Sequence, residues 1–358
     1  MVYQALFNKT LCKKIEMEKI LTVVIPTYNM EIFLPKTLTS LVVEKELMDL
    51  LEVIVVNDGS KDSSSNIAHE FQKQYPQTVR VIDKENGNYG SCVNRGLLEA
   101  KGKYIKILDA DDSFDNVAFK KYLQTISELD VDLIINDVLL VNTDGHSLDK
   151  WQLSLPQFQF FNFFSYDCFL EMHMVAYQTE KLRQIGYLQT EGISYTDQEW
   201  VFLPLSTVVK SYYCPITLYM YLVGREGQTM NSMIQRKYLS NKLIVFKNML
   251  KVYSQGNYVE NIDRWMLNKL LSNLHSLFKT NIVDLRDDKN QDIIDCDLFI
   301  KENYPRFYLK SEKCLIVSKK FKYNYGHYWR KYYKLNYHNP LLWIYYAMKR
   351  IKKKNILE

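Results

Sequence analysis

Over its first 140 residues the chain alternates short apolar runs with stretches where leucines recur at three- and four-residue spacing. "LTVVIP" (21–26) is unbroken by polar residues and ends on proline, as in a strand buried on both faces. Leu34, Leu38 and Leu41 mark a helix after it. "LEVIVVND" (51–58) is a second such strand, and "SKDSSSNIAHEFQKQY" returns as a helix with Ser60 or Asp62 as its N-cap. "VRVID" (79–83), a helix from Tyr89 to Ala100, "YIKILDADD" (104–112) and "VDLIINDVLLV" (131–141) continue the alternation. Strand–helix repetition of this kind predicts an α/β fold with a mostly parallel sheet and helices on both faces.

In such sheets ligands sit outside the carboxyl ends of the strands. The polar clusters fall there: Pro26-Thr27-Tyr28-Asn29 after the first strand, Asn57-Asp58-Gly59-Ser60 after the second, Asp109, Asp111 and Asp112 after the fourth. Beyond Val141 the pattern changes. Residues 151–170 are rich in Phe, 171–230 read as mixed, and the chain turns helical from Ser232. The expected division is a domain over 1–230 and a helical region with a basic aromatic tail over 231–358.

With 47% apolar residues among 358, the chain can bury a substantial core. Six scattered cysteines without a C-x-x-C pair fit free thiols in a reducing compartment. The first residues, "MVYQALFNKTLCKKIEMEK", carry no signal-peptide pattern, and no apolar run is long enough to span a membrane. Charge is uneven: from Lys319 onward there are eleven Lys/Arg and one acid, giving 11 − 1 = +10. Because the whole chain is +5, residues 1–318 sum to 5 − 10 = −5. A basic tail on an acidic body points to an anionic partner surface.

Asp109 and Asp111 are two apart, so in extended geometry they face one side. Carboxylate oxygens suit Mg²⁺ or Mn²⁺, which takes further ligands from substrate phosphates. The alternative is a solvated turn in which Asp115 or Ser113 caps the next helix. "VVIPTYN", "VIVVNDGSKDSS" and "ENGNYGSCVNRGLLEAKGKYIKILDADD" together resemble the nucleotide-sugar half of the family 2 glycosyltransferases, with the GT-A (Rossmann-like) fold. Four separate motifs coincide there in order and spacing, which a lone D-x-D would not do.

The resemblance implies an inverting transferase using a UDP- or other nucleotide-activated sugar, a divalent metal and a hydroxyl acceptor on a polysaccharide or lipid-linked glycan, in bacterial capsule or exopolysaccharide chemistry. It places Pro26, Thr27 and Tyr28 at the nucleobase and ribose pocket, and Asp58 as acceptor for the base's imide N–H. Asp109 would reach the ribose and Asp111 the metal, the two forming the D-x-D. Asn86, Gly87 and Asn94 would shape the wall beside the donor. Read without the family, Gly87 and Gly90 before a helix suggest either a phosphate loop or an ordinary strand-to-helix turn.

Attack by a hydroxyl needs a general base. "GISYTDQEWVFLP" (192–204) supplies Asp197 and Glu199 where family 2 enzymes carry an acidic pair; here Thr196-Asp197 replaces Glu-Asp. Asp197 is the expected base and Glu199 the alternative, against a plain helix-capping role. In "YLVGREGQTMN" (221–231), Arg225 lies between Gly224 and Gly227. A similar loop in polysaccharide-building family 2 enzymes implies donor contacts for Arg225, Gln228 and Thr229. His173, between apolar neighbours in "EMHMVAY", reads as a core residue, with a metal or acceptor ligand as the alternative.

Tyr325, Tyr328, Trp329, Tyr332 and Tyr333 share one helical face, with Arg330, Lys331 and Lys334 off it. Residues 319–354 thus suit an anionic membrane surface or pack inward. No nucleic-acid recognition module accompanies them. The expected location is cytoplasmic, peripheral at the inner membrane face. A nucleotidyltransferase would want a Gly-rich, basic N-terminal loop that "IPTYNMEIF" lacks. A non-enzymatic membrane-associated scaffold is the other alternative, and no G-x-G-x-x-G supports a dinucleotide enzyme.

Overall fold

The computed structural model describes residues 19–225, 237–281, 290–313, 316–317 and 322–332. The chain forms two compact units: residues 1–163, 170–192 and 207–223 make the first, and 164–169, 193–206 and 224–358 the second.

The first unit is a ten-stranded sheet. Its strands are β1 (Leu21–Thr27), β2 (Leu51–Asn57), β3 (Val79–Asp83), β4 (Tyr104–Ile107), β5 (Ser113–Phe114), β6 (Leu133–Val141), β7 (Ser147–Trp151), β8 (Phe160–Phe161), β9 (Val175–Gln178) and β10 (Ser211–Leu222). They lie in the order β3-β2-β1-β4-β9-β6-β10-β5, with β7 on β6 and β8 on β10. β1, β2 and β4 are buried along their whole lengths, as their unbroken apolar runs require. β3-β2-β1-β4 pair in parallel, as the alternation predicts. The rest of the sheet is mixed. β9 runs antiparallel to both β4 and β6, while β10 is parallel to β6 and antiparallel to β5. Pro215 lies in β10 where the register shifts between Cys214 and Thr217, since proline cannot donate to a regular ladder.

The helix Ser64–Gln74 has Ser63 at its N-cap, one residue beyond Asp62 and three beyond Ser60, the caps the sequence suggests. Asp115 caps Asn116–Ser127, its side chain accepting from the Ala118 N–H. Asp115 therefore does the capping expected of an acidic turn, and the three preceding aspartates are left for other work.

The second unit includes the helices Leu239–Gln255, Glu260–Lys279, Gln291–Asn303, Pro305–Lys313 and Tyr325–Tyr332. Trp265 packs edge-on against Phe164 and Phe169, and its indole N–H donates to the Cys168 carbonyl at 2.9 Å. None of the described helices is long and apolar enough to cross a membrane. Where the tail can be described, Trp329 and Arg330 turn inward while His327 and Lys331 stay exposed. Trp329 is buried, its ring 5.1 Å from Phe278. Arg330, expected off the aromatic face, donates through Nε and Nη2 to Asp297 Oδ1 and stacks 3.9 Å over Tyr308. Its side chain is 6% exposed and that of Asp297 10%. Residues 333–354, which carry most of the basic tail, lie outside the described residues.

Burial holds the Asp297 carboxyl above the usual carboxylate range even with Arg330 beside it. Removing one partner of such a buried pair strands the other, so Arg330→Ala should cost about 3–5 kcal/mol in urea unfolding. A loss under ~1 kcal/mol would show that the pair does not hold this helix.

Candidate functional site

The loops after β1 and β2 are tied to each other by hydrogen bonds. The Asn29 and Met30 N–H groups donate to Ser60 Oγ and Ser64 Oγ at 3.1 and 2.7 Å. In return the Lys61 N–H donates to Asn29 Oδ1 at 2.8 Å, and the Ser63 N–H to Glu31 Oε2 at 2.9 Å. Asn29 adopts φ 53°, a left-handed conformation asparagine tolerates. Pro26 and Thr27 are buried in β1, whereas Tyr28 stands 46% exposed at its mouth.

Asp58 is 3% exposed and clasped by the loop after β3. Its Oδ1 accepts from Lys84 Nζ at 2.6 Å and from the Gly87 N–H at 2.9 Å, and its carbonyl from Asn86 Nδ2 at 3.0 Å. Lys84 also donates to Ser91 Oγ, so one ammonium ties the strand end to the helix Asn88–Glu99. Asn94 is spent on positioning: it donates to Gln189 O and Glu191 Oε1 and accepts from the Gln189 N–H. Gly90 permits this approach, because a Cβ there would meet the Thr190 carbonyl oxygen at 2.0 Å.

At the end of β4, Asp109, Asp112 and His173 bring ligand-type atoms within 4.8 Å of one another. His173 Nε2 lies 3.7 Å from Asp109 Oδ2, and Asp109 Oδ1 accepts from Tyr89 Oη at 2.7 Å. Asp112 is buried; its oxygens accept from Tyr219 Oη and the Leu222 N–H, each keeping a second lone pair. Burial first, then the charges of Asp111 and Asp109, push its carboxyl well above the usual range. His173 Nδ1 is buried and lacks a hydrogen-bond partner among the described residues. Negative charge that its surroundings leave uncompensated, beside an imidazole, fits a divalent cation. Asp111, the sequence-expected ligand, borders this group and acts on it through its charge.

His173 was the residue that sequence reasoning set aside, yet a signal existed. β4 and β9 pair as Tyr104↔Gln178 and Ile105↔Tyr177, and the same register carried outward sets Asp109 opposite His173. An antiparallel β9 beside β4 would have found it. Lys106 holds this arrangement from beneath. Fully buried, its ammonium donates to Asn136 Oδ1 and the His173 carbonyl, both at 2.8 Å, and to the Val175 carbonyl at 3.2 Å.

In the second unit, Asp197 opens the four-residue helix Asp197–Trp200. It is half-buried, whereas Glu199 is buried. Gln198 Nε2 donates to Asp197 Oδ2 at 3.1 Å, and Lys242 lies 4.4 Å over the Tyr195 ring. Burial, then Asp197, push the Tyr195 hydroxyl up to about 12. Burial lowers Lys242 while Asp197 opposes that shift, so the two side chains feel each other. Arg225 is half-buried beside Gly224, at φ 93°. Gln228 and Thr229 lie outside the described residues.

Residues 22–185 match the family model described as Glycosyl transferase family 2. Over 102 residues the chain is 42% identical to an uncharacterized glycosyltransferase of Mycoplasma pneumoniae, the MG025 homolog, covering 28% of this chain and 34% of that protein. It is 30% identical over 133 residues to the minor teichoic acid biosynthesis protein GgaB of Bacillus subtilis, covering 36% of this chain and 15% of GgaB. The chain thus spans about a third or less of the length of these curated relatives. The crystal structure of S. aureus TarS residues 1–349 with UDP-GlcNAc superposes with a TM-score of 0.58 at 19% identity, covering 80% of this chain and 82% of that one. That likeness establishes the shared GT-A-type fold.

Burial drives the Lys106 amine well below its ordinary value. The folded state then binds fewer protons than the unfolded chain between that depressed value and about 10.4, so stability rises with pH across this window. Lys106→Met should flatten the rise in urea midpoint from neutral to alkaline pH; an unchanged slope would place the amine's charge elsewhere in the balance.

Proposed function

Because residues 22–185 belong to glycosyl transferase family 2, we propose that the protein is an inverting glycosyltransferase. It moves a sugar from a UDP-linked donor to a hydroxyl of a polysaccharide or lipid-linked glycan. The observation that carries this reading is the Asp109–Asp112–His173 group at the end of β4, beside the strand ends where such sheets hold nucleotides. The named relatives and TarS, solved with UDP-GlcNAc, support the same class of chemistry.

In this reading Tyr28 offers its exposed ring to the base, and Asp58 accepts from the imide N–H with the oxygen that Lys84 and Gly87 leave open. Uracil has that N–H and cytosine does not, so a carboxylate there selects UDP. Asp109, Asp112 and His173, with Asp111 at their edge, would hold Mn²⁺ or Mg²⁺; the imidazole favours Mn²⁺, since Mg²⁺ prefers oxygen. When bound, the cation supplies positive charge to the leaving diphosphate.

Asp197 takes the proton from the acceptor hydroxyl as it attacks the anomeric carbon opposite the departing phosphate, which inverts that centre. Glu199, two residues on and buried, is the less accessible acid. Arg225 would add charge stabilisation to the diphosphate, with Gln228 and Thr229 contributing from the same loop. The excess of +10 beyond Lys319 supports attachment to the anionic inner face of a cell membrane.

Asp197→Asn should lower transfer by about 10²–10⁴-fold, with Mn²⁺-dependent UDP binding retained. In calorimetry with Mn²⁺ alone, His173→Ala and Asp109→Asn should each weaken binding at least about tenfold, a loss typical of damaged metal sites. Parent-rate transfer by Asp197→Asn, or parent Mn²⁺ affinity in both ligand variants, would overturn these assignments.

A further inference from the structure

Beside Asp109 the first unit carries a group of rings in which Trp151 and Tyr221 have no part in the reading above, packed around His173. The His173 ring lies 4.6 Å from Tyr221 and 5.9 Å from Trp151, and Trp151 lies 5.7 Å from Tyr221. Tyr219 closes the far side of the imidazole edge-on at 4.9 Å. Tyr219 is fully buried, while Trp151, Tyr221 and His173 are each half-buried.

The topology brings these residues together. β9 occupies the edge of β6 through Ile135, and β7 takes over the same edge from Val138, which pairs with Trp151. The segment just before β9, which carries His173, therefore meets the last residue of β7. Tyr219 and Tyr221, two apart on β10, share one face. β7 is exposed over its first four residues and only Trp151 turns inward. The hairpin is pinned at that point: Lys150 Nζ sits 3.0 Å from Asp137 Oδ2, and the fully buried Asp137 also accepts from Tyr213 Oη.

A tryptophan whose neighbour Lys150 is tied to a buried carboxylate, left half-open beside an imidazole that itself lies 3.7 Å from Asp109, is poorly placed for simple core filling. A pyranose ring answers both features. Its C–H face is apolar and weakly positive, which suits the negative face of an indole or phenol ring, and its rim of hydroxyls donates to carboxylates. In sheet order the nucleotide-type loops lie at β1, β2 and β3, the carboxylate cluster at β4, and the rings on β7, on β10 and just before β9. A sugar beyond a diphosphate held at β4 would arrive on them.

We infer that Trp151 and Tyr221, backed by His173, form a stacking subsite for a hexose ring at the reaction centre. This rests on the glycosyltransferase reading. The ring could be the donor's transferred sugar or the terminal residue of the acceptor glycan, since both present the same C–H face.

The test is saturation-transfer NMR on the full chain with Mg²⁺, using UDP, UDP-glucose and UDP-GlcNAc as donor probes and cellotetraose and chitotetraose as acceptor probes. The wild type is expected to pass saturation to sugar-ring protons of at least one probe. Trp151→Leu, which keeps apolar volume but removes the π face, should cut that transfer at least threefold while leaving the uracil H5 and H6 signals unchanged. Trp151→Phe should restore most of it. Loss confined to the UDP-hexoses assigns the donor sugar; loss confined to the oligosaccharides assigns the acceptor. Uracil signals present but ring-proton transfer absent from the wild type, or undiminished in Trp151→Leu, would overturn the subsite. Absence of uracil signals from the wild type would instead overturn the glycosyltransferase reading.

Discussion

The antiparallel pairing of β9 with β4 is the constraint on which the functional centre depends. A parallel neighbour would have brought the start of its own strand to the far end of β4. Running the other way, β9 delivers the residues just before it to the carboxyl end of β4, and so His173 meets Asp109. Lys106 then fixes that meeting by gripping the His173 and Val175 carbonyls from inside the sheet. A buried ammonium without a carboxylate partner is expensive, and its three acceptors make it tolerable. The same ammonium accepts from no neighbour, so its grip is directional: it can only pull on oxygens.

Around that centre the protein handles negative charge in two different ways. Asp58 is buried with a lysine in direct contact, while Asp112 is buried with two further aspartates nearby and a tyrosine and a peptide N–H as donors. One carboxylate is neutralised by the chain itself. The other is left short of positive charge at the strand end where a diphosphate and its counter-ion would complete it. Within one sheet the first is held as a fixed acceptor, whereas the second has the charge and donor set that fit a cation.

The parallel half of the sheet was legible because each strand there is an unbroken apolar run, and strands buried on both faces have no other way to look. The polar clusters at their ends followed from topology alone. The antiparallel half was opaque for local reasons. β9 is four residues long, and β10 is interrupted by Pro215 and two register shifts, so neither reads as a strand by periodicity. His173 sits between Met172 and Met174, both buried, which makes it look like core packing when its ring edge in fact faces Asp109. Arg330 was illegible for a different reason. Its place off an aromatic face names no partner, and only tertiary structure brings Asp297 and the Tyr308 ring to it.

The lacing of the β1 and β2 loops has a consequence for how a nucleotide would be met. Five side-chain hydrogen bonds cross between the loops, two through serine hydroxyls and three through the Asn29, Glu31 and Asp62 side chains, and leave little slack in that rim. Little entropy would be left to lose on contact, so the rim would meet a nucleotide as a preformed surface rather than one shaped by it.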